Sequence, residues 1–165
     1  MSQQITMSLL NSPNADPSIL QNILAAIRLM FNPSQPPTPQ QLQSANQFLT
    51  EFKSDISSLV FSFELIQNTY DDIFRSYGFH ILEAHIKSHW NLMDTQLKTH
   101  IVGTLFAYMK NGTKGVLQEP GFVKEKIGVV FSEIAKREWP QRMPALMDEL
   151  IATIDINMEC CYYCM

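Results

Sequence analysis

The sequence holds 165 residues, 45% hydrophobic and 17% charged, with a net charge of −4 and a pI near 5.5. That much apolar content can fill a core, which excludes wholesale disorder, and the length suits one compact domain or a few units of a repeat array. The acidic balance and the absence of any Lys or Arg block argue against autonomous nucleic-acid binding, and no apolar run approaches the ~18 residues that a membrane span needs.

Residues 1–16 are polar, with neither a basic start nor a long apolar stretch, and read as a flexible N-terminus. Asp16-Pro17 opens the first periodic segment, since Asp caps free helix amides and Pro is tolerated at the first helical position. Leu20, Ile23, Leu24, Ile27, Met30 and Phe31 then recur at three- and four-residue spacing, one face of an amphipathic helix that ends at Asn32-Pro33. Pro33, Pro36, Pro37 and Pro39 make residues 32–39 a loop. Thr38-Pro39-Gln40-Gln41 matches a capping box ahead of a second helix with Leu42, Ala45, Leu49 and Phe52 on its stripe.

Residues 56–66 fit two periods. Leu59, Phe61, Phe63 and Leu65 alternate as in a strand, while Ile56, Leu59, Val60, Phe63 and Ile66 fit a helix. A lone strand among helices has no pairing partner, so a helix is expected. Residues 71–90 form a long segment whose apolar positions cover more than one face, which requires packing against more than one neighbour. Gly78 inside it costs ~1 kcal/mol relative to Ala, which a close backbone approach would explain. Asp94 caps the next helix, with Leu97, Ile101, Leu105, Tyr108 and Met109 as its stripe, and Asn111-Gly112 supplies a left-handed stop. Phe122, Val123, Ile127, Val130, Phe131 and Ile134 mark a sixth helix ending near Glu138. A proline-bounded turn, Trp139 to Pro144, leads to a last helix with Leu146, Met147, Leu150 and Ile154.

Seven helices joined mostly by short links predict an all-α fold of antiparallel neighbours. Two helices in about 40 residues match HEAT-like repeats better than a closed bundle, giving a HEAT-like alpha-solenoid of about three to four repeats over residues 17–153. Residues 154–165 form a divergent tail holding all three cysteines, Cys160, Cys161 and Cys164. A body free of cysteine fits a reducing compartment. The C-x-x-C from Cys161 to Cys164 lacks the further ligands of a zinc site and the helix start of a redox site, so it reads as an oxidation-prone tail. Asn111-Gly112-Thr113 is a glycosylation sequon that reads as a turn.

Candidate chemistry is sparse. His85 and His89 lie four apart on one helix face, a spacing that can hold zinc, with Glu83 nearby, yet the order is one residue out of register for a metalloprotease motif. Solvated or partly buried histidines are the favoured reading. No phosphate-binding glycine loop and no nucleophile elbow occur, and Asp71 and Asp72 are explained by the positive end of the following helix. No catalytic residue, cofactor-binding residue or metal ligand is expected, and no enzyme activity.

Two stretches carry a family resemblance. Arg75-Ser76-Tyr77-Gly78-Phe79-His80-Ile81-Leu82-Glu83 leads through Ala84 to Trp90, and resembles an aromatic-Gly-x-x-Ile-Leu-Glu helix that closes on a Trp. Lys136-Arg137-Glu138-Trp139-Pro140, followed by Pro144, resembles a helix-ending turn. Both are features of the exportin branch of the importin-beta (karyopherin) family. The Asn111-Gly112-Thr113 turn and the run from Lys136 to Gln141 are most similar to the exportin-five group, with the exportin-one group behind it. One departure stands out: Met143 occupies the place of a second Trp, losing aromatic area and an indole N–H.

The resemblance implies a nuclear export receptor that binds Ran in its GTP form, export cargo and nuclear pore proteins, with no membrane insertion. It shuttles between nucleus and cytoplasm, and in exportin-five-like receptors the cargo includes hairpin RNA precursors, bound only with the rest of the receptor. Ran would be gripped by the second helix of each pair, near 39–53, 71–90 and 121–138, through residues the resemblance does not identify. Tyr77, Gly78, Ile81, Leu82, Glu83, Trp90, Lys136, Arg137, Glu138, Trp139, Pro140 and Pro144 are expected to be packing residues, with Trp90 and Trp139 wedged between repeats. The alternatives are a HEAT-repeat protein–protein scaffold without transport activity and a non-functional truncated product. Because the family's receptors hold many more repeats, and Met147, Leu150, Ile151 and Ile154 would lack their next neighbour, a truncated or alternatively ended product is expected.

Overall fold

The structure is a computed structural model that describes residues 4–10, 16–31, 33–67, 69–112 and 115–154. Seven α-helices follow in chain order among these residues: α1 (Pro17–Phe31), α2 (Pro39–Ser54), α3 (Ser58–Ile66), α4 (Asp72–His89), α5 (Thr95–Asn111), α6 (Gly121–Glu138) and α7 (Leu146–Ile154). Short 3-10 turns lie at Met7–Leu9, Trp90–Leu92 and Val116–Gln118. Among the described residues there is no strand. The cysteine tail, the side chain of Ile154 and Thr113 of the expected turn fall outside the described residues.

The helix boundaries follow from local hydrogen bonding. Thr38 Oγ1 accepts from the Gln41 N–H at 3.2 Å, while Gln41 Oε1 accepts from the Thr38 N–H at 2.9 Å, closing the capping box of α2 with Pro39 as its first residue. Asp94 Oδ1 accepts from the Leu97 N–H at 2.7 Å and opens α5. Gly112 closes α5 at φ 65°, a backbone region that disfavours side chains, and donates its N–H to the Tyr108 carbonyl at 2.7 Å. The ambiguous stretch is helical because Leu59, Phe61, Leu65 and Ile66 all become buried on α3.

The chain divides into two compact units, Ser8–His85, and Met1–Met7 with Ile86–Met165. In the first, Ile23 and Ile27 of α1, Leu49 of α2, Phe61 and Leu65 of α3, and Phe74, Tyr77 and Ile81 of α4 form one buried cluster. Full burial of such a side chain contributes roughly 1.5–3 kcal/mol before ordering entropy is subtracted. Gly78 meets α3 so closely that a Cβ there would lie 2.8 Å from the Ser62 carbonyl oxygen and 2.8 Å from Ile66 Cγ1.

In the second unit, α5 packs on α6 and α7. Leu97, Ile101, Leu105 and Met109 of α5 and Val123, Ile127, Val130 and Ile134 of α6 are fully buried. Phe106 and Phe131 meet edge to face at 5.1 Å. Residues 4–10, the described part of the N-terminal segment, include a 3-10 turn at Met7–Leu9 and a pairing at Ile5. Ile5 donates its N–H to the Leu92 carbonyl at 2.9 Å and accepts from the Asp94 N–H at 2.8 Å, an isolated parallel bridge. The architecture is all-α and HEAT-like.

Three aromatics expected on buried faces are exposed instead: Phe31 (58%), Phe122 (50%) and Trp139 (45%). Phe31 and Phe122 sit at helix ends, and Trp139 lies just beyond one. Phe31 is the last residue of α1 and Phe122 the second of α6. Trp139 follows α6 in an extended conformation that breaks the helical phase of the buried face.

Candidate functional site

The family-motif residues fall into two groups. In the first unit, Tyr77 is buried and its hydroxyl donates to the Leu49 carbonyl at 3.3 Å, tying α4 to α2. Burial pushes its phenol up to about 12. Gly78 gives the close contact to α3, Ile81 and Leu82 are buried, and Glu83 lies on a half-buried face 4.0 Å from His80 Nδ1. His85 is wholly buried, with Nε2 2.7 Å from Ser58 Oγ at the start of α3. Asp55 just before it is held below the usual carboxylate range, first by the Ser57 N–H and then by the Ser57 hydroxyl.

The second unit brings the end of one motif against the other. Trp90 is 1% exposed and donates its indole N–H to Glu138 Oε1 at 2.5 Å. Glu138 is itself 2% exposed, and its carboxylate also faces Lys98 Nζ at 3.6 Å and Arg142 Nη1 at 3.5 Å. The Lys98 ammonium lies 5.4 Å from the Trp90 ring centroid. A buried carboxylate is tolerated because an indole and two cations surround it.

Arg137 extends the junction. Its guanidinium donates to the Lys87 carbonyl at 3.4 Å and to Glu133 Oε2 at 2.7 Å, while Lys136 Nζ reaches Glu133 Oε1 at 2.7 Å. Hydrogen bonds from Lys136 and then Arg137 hold the Glu133 carboxyl at about 2. Trp139, Pro140 and Pro144 stand exposed beyond this network. The motif's two tryptophans thus part company, one anchored in a polar junction and one facing outward.

His85 and His89, the pair with zinc-like spacing, each have a serine hydroxyl within hydrogen-bond distance. His89 Nδ1 lies 2.8 Å from Ser88 Oγ, and among the described residues no three His, Cys, Asp or Glu side chains converge as a metal would require. One exposed surface of this unit is a face of α6. Phe122, Glu125, Val129, Ser132 and Lys136 recur at three- and four-residue spacing, and all are exposed. Phe122 and Val129 form an exposed apolar pair on this face, flanked by polar side chains. Phe122 read as part of a buried stripe in the sequence, and Val129 lies off that stripe.

Residues 45–110, from mid-α2 to near the end of α5, match the family described as the importin-beta N-terminal domain. The chain as a whole is similar to exportins. It is 30% identical over 134 residues to exportin-5 of Mus musculus, covering 81% of this chain and 11% of that protein. It is 27% identical over 139 residues to exportin-5 of Dictyostelium discoideum, covering 84% and 12%. Exportin-1 of Schizosaccharomyces pombe is more distant, at 22% over 121 residues, covering 72% and 11%. The chain spans about a tenth of the length of the curated relatives it matches.

Proposed function

We propose that the chain acts as the N-terminal part of a nuclear export receptor, shuttling between nucleus and cytoplasm, in which residues 17–153 carry the repeats and residues 154–165 a divergent tail. The observation that carries this reading is the similarity to exportins over most of the chain, coupled to the junction of Trp90 with Glu138 that joins the two family motifs. The motif residues from Tyr77 to Trp90 and from Lys136 to Glu138 set the angles of the scaffold. Contact with partners falls to exposed positions.

Ran in its GTP form is the proposed partner, and the exposed face of α6, with Phe122 and Val129, is the proposed contact. Hairpin RNA cargo and nuclear pore proteins engage the rest of the receptor together with this segment, and no chemistry is carried out. Among the described residues no helix is long and apolar enough to cross a membrane. Co-elution of the chain with Ran loaded with a non-hydrolysable GTP analogue, and not with GDP, is the expected result. Val129→Glu should weaken it by roughly tenfold, as expected for a charge placed in an interface core. Equal retention of both nucleotide forms, or of neither, would favour a HEAT scaffold without transport activity.

A further inference from the structure

A trough of about 710 Å³ lies between α1 and α2 of the first unit. Its floor is apolar and low, made by Ala25, Ala26, Leu29, Ala45 and Phe48. Alanines from both helices leave space that longer side chains would fill, so the surface dips there into a shallow trough that is open to solvent. A second hollow of about 480 Å³ adjoins it, sharing Ala25, Leu29 and Gln41 and ending at Arg28 and the proline loop.

The electrostatics of this cleft have one sign. Arg28 is the one ionisable group on either lining, and no carboxylate lines them. Its guanidinium is held 5.3 Å over the Phe74 ring, which orients it without neutralising it. The first turn of α2, represented by Gln40 and Gln41, also lines the cleft, so the positive end of that helix dipole lies on the same side. This positive end is embedded in an acidic unit, since residues 8–85 hold three Lys or Arg against seven Asp or Glu.

We propose that this cleft docks a segment of a partner protein that carries two bulky apolar side chains flanked by an acidic one. The apolar side chains occupy the alanine-floored trough. The carboxylate meets Arg28 and the first turn of α2, and the side-chain amides of Asn22 and Gln40 at the rim satisfy the segment's backbone. The site is separate from the α6 face, so binding or loss of Ran leaves this proposal untouched.

Fluorescence anisotropy on the full chain tests it with three labelled peptides. One carries two phenylalanines spaced by three residues and a neighbouring glutamate. The second has lysine in place of the glutamate, and the third has serine in place of both phenylalanines. The glutamate peptide should bind about fivefold tighter than the lysine peptide, the range of a partly exposed ion pair. The serine peptide should lose on the order of a hundredfold, since two buried aromatics are removed. Arg28→Glu should invert the preference between the glutamate and lysine peptides. Ala25→Trp, or Ser44→Trp from the opposite wall, should abolish binding while far-UV circular dichroism stays unchanged.

Equal affinity for the glutamate and lysine peptides would overturn the assignment, as would binding that survives both tryptophan variants or no saturation by the glutamate peptide at 1 mM (about the weakest affinity a specific site shows). A chain that dimerises in sedimentation and loses dimerisation in Ala25→Trp would give the cleft to a second copy instead.

Discussion

A methyl group at Gly78 would sit 2.8 Å from a backbone oxygen of Ser62, an atom that α3 cannot move cheaply. Gly78→Ala should therefore destabilise the protein by about 1–3 kcal/mol, even though alanine improves helix propensity by ~1 kcal/mol. An unchanged urea midpoint would mean that α3 and α4 separate without cost. The two tryptophans give a contrast. Trp139→Ala should cost about 1 kcal/mol or less, because nearly half of its surface already faces solvent. Trp90→Phe keeps most of the packing but leaves Glu138 without its indole donor, and should cost about 2–3 kcal/mol. Thermal melts of the two variants side by side settle the order. Trp139 read as a wedge between repeats because it stands in the family-like turn from Lys136 to Pro140, and a motif carries no measure of burial. The break in phase after Glu138 depends on backbone angles that residue types alone do not fix.

At the scale of single elements, α6 carries its own acid sensor. Glu133 accepts from Lys136 and Arg137, and its folded value of about 2 lies below the ordinary value of about 4.5 for an unfolded glutamate. A depressed carboxyl contributes stability in full above the unfolded value and loses it as pH falls toward the folded one. Stability assigned to Glu133 should thus be complete at pH 6 and fade between about pH 4.5 and 2, a loss that Glu133→Gln would remove from the pH profile. A side-chain carboxyl signal titrating near 4.5 in NMR would contradict it. Helix starts were the most legible parts of the sequence. Asp94 and Thr38 cap with groups drawn from the same four residues, so their chemistry is local. Residues 56–66 were ambiguous because both periods fit, and only burial against α2 and α4 decides between them. The contact of Glu138 with Trp90 lay beyond reach, although both residues were singled out, since no local pattern pairs side chains 48 positions apart. The cleft between α1 and α2 was likewise invisible, because its alanines look like ordinary helix formers.

For the molecule as a whole, charge and apolar surface are unevenly spread. The four excess carboxylates all belong to residues 8–85, while residues 86–165 hold nine cations and nine carboxylates. On α7, Ile151 is 58% exposed beside half-buried Met147 and Leu150, an apolar strip of the kind that monomers tend to cover. The chain should self-associate with rising concentration, and Ile151→Glu with Leu150→Glu should lower light scattering without loss of helix content. Scattering unaffected by both changes would place the contact elsewhere. The bond between Trp90 and Glu138 also orders events in time. Bringing its ends together closes a stretch of 48 residues, an entropic cost of about 3 kcal/mol met before the contact returns anything. During synthesis the ribosome must release residue 138 before the junction can form. Until then the second unit has its α5 but no carboxylate for the indole or for Lys98, so its apolar helices wait undocked. The first unit, complete by residue 85, has no such wait. Stalled nascent chains ending shortly after α5 should show amide protection in the first unit and little in the second, which makes this half of the molecule the one that bares apolar surface for longest while it is being made.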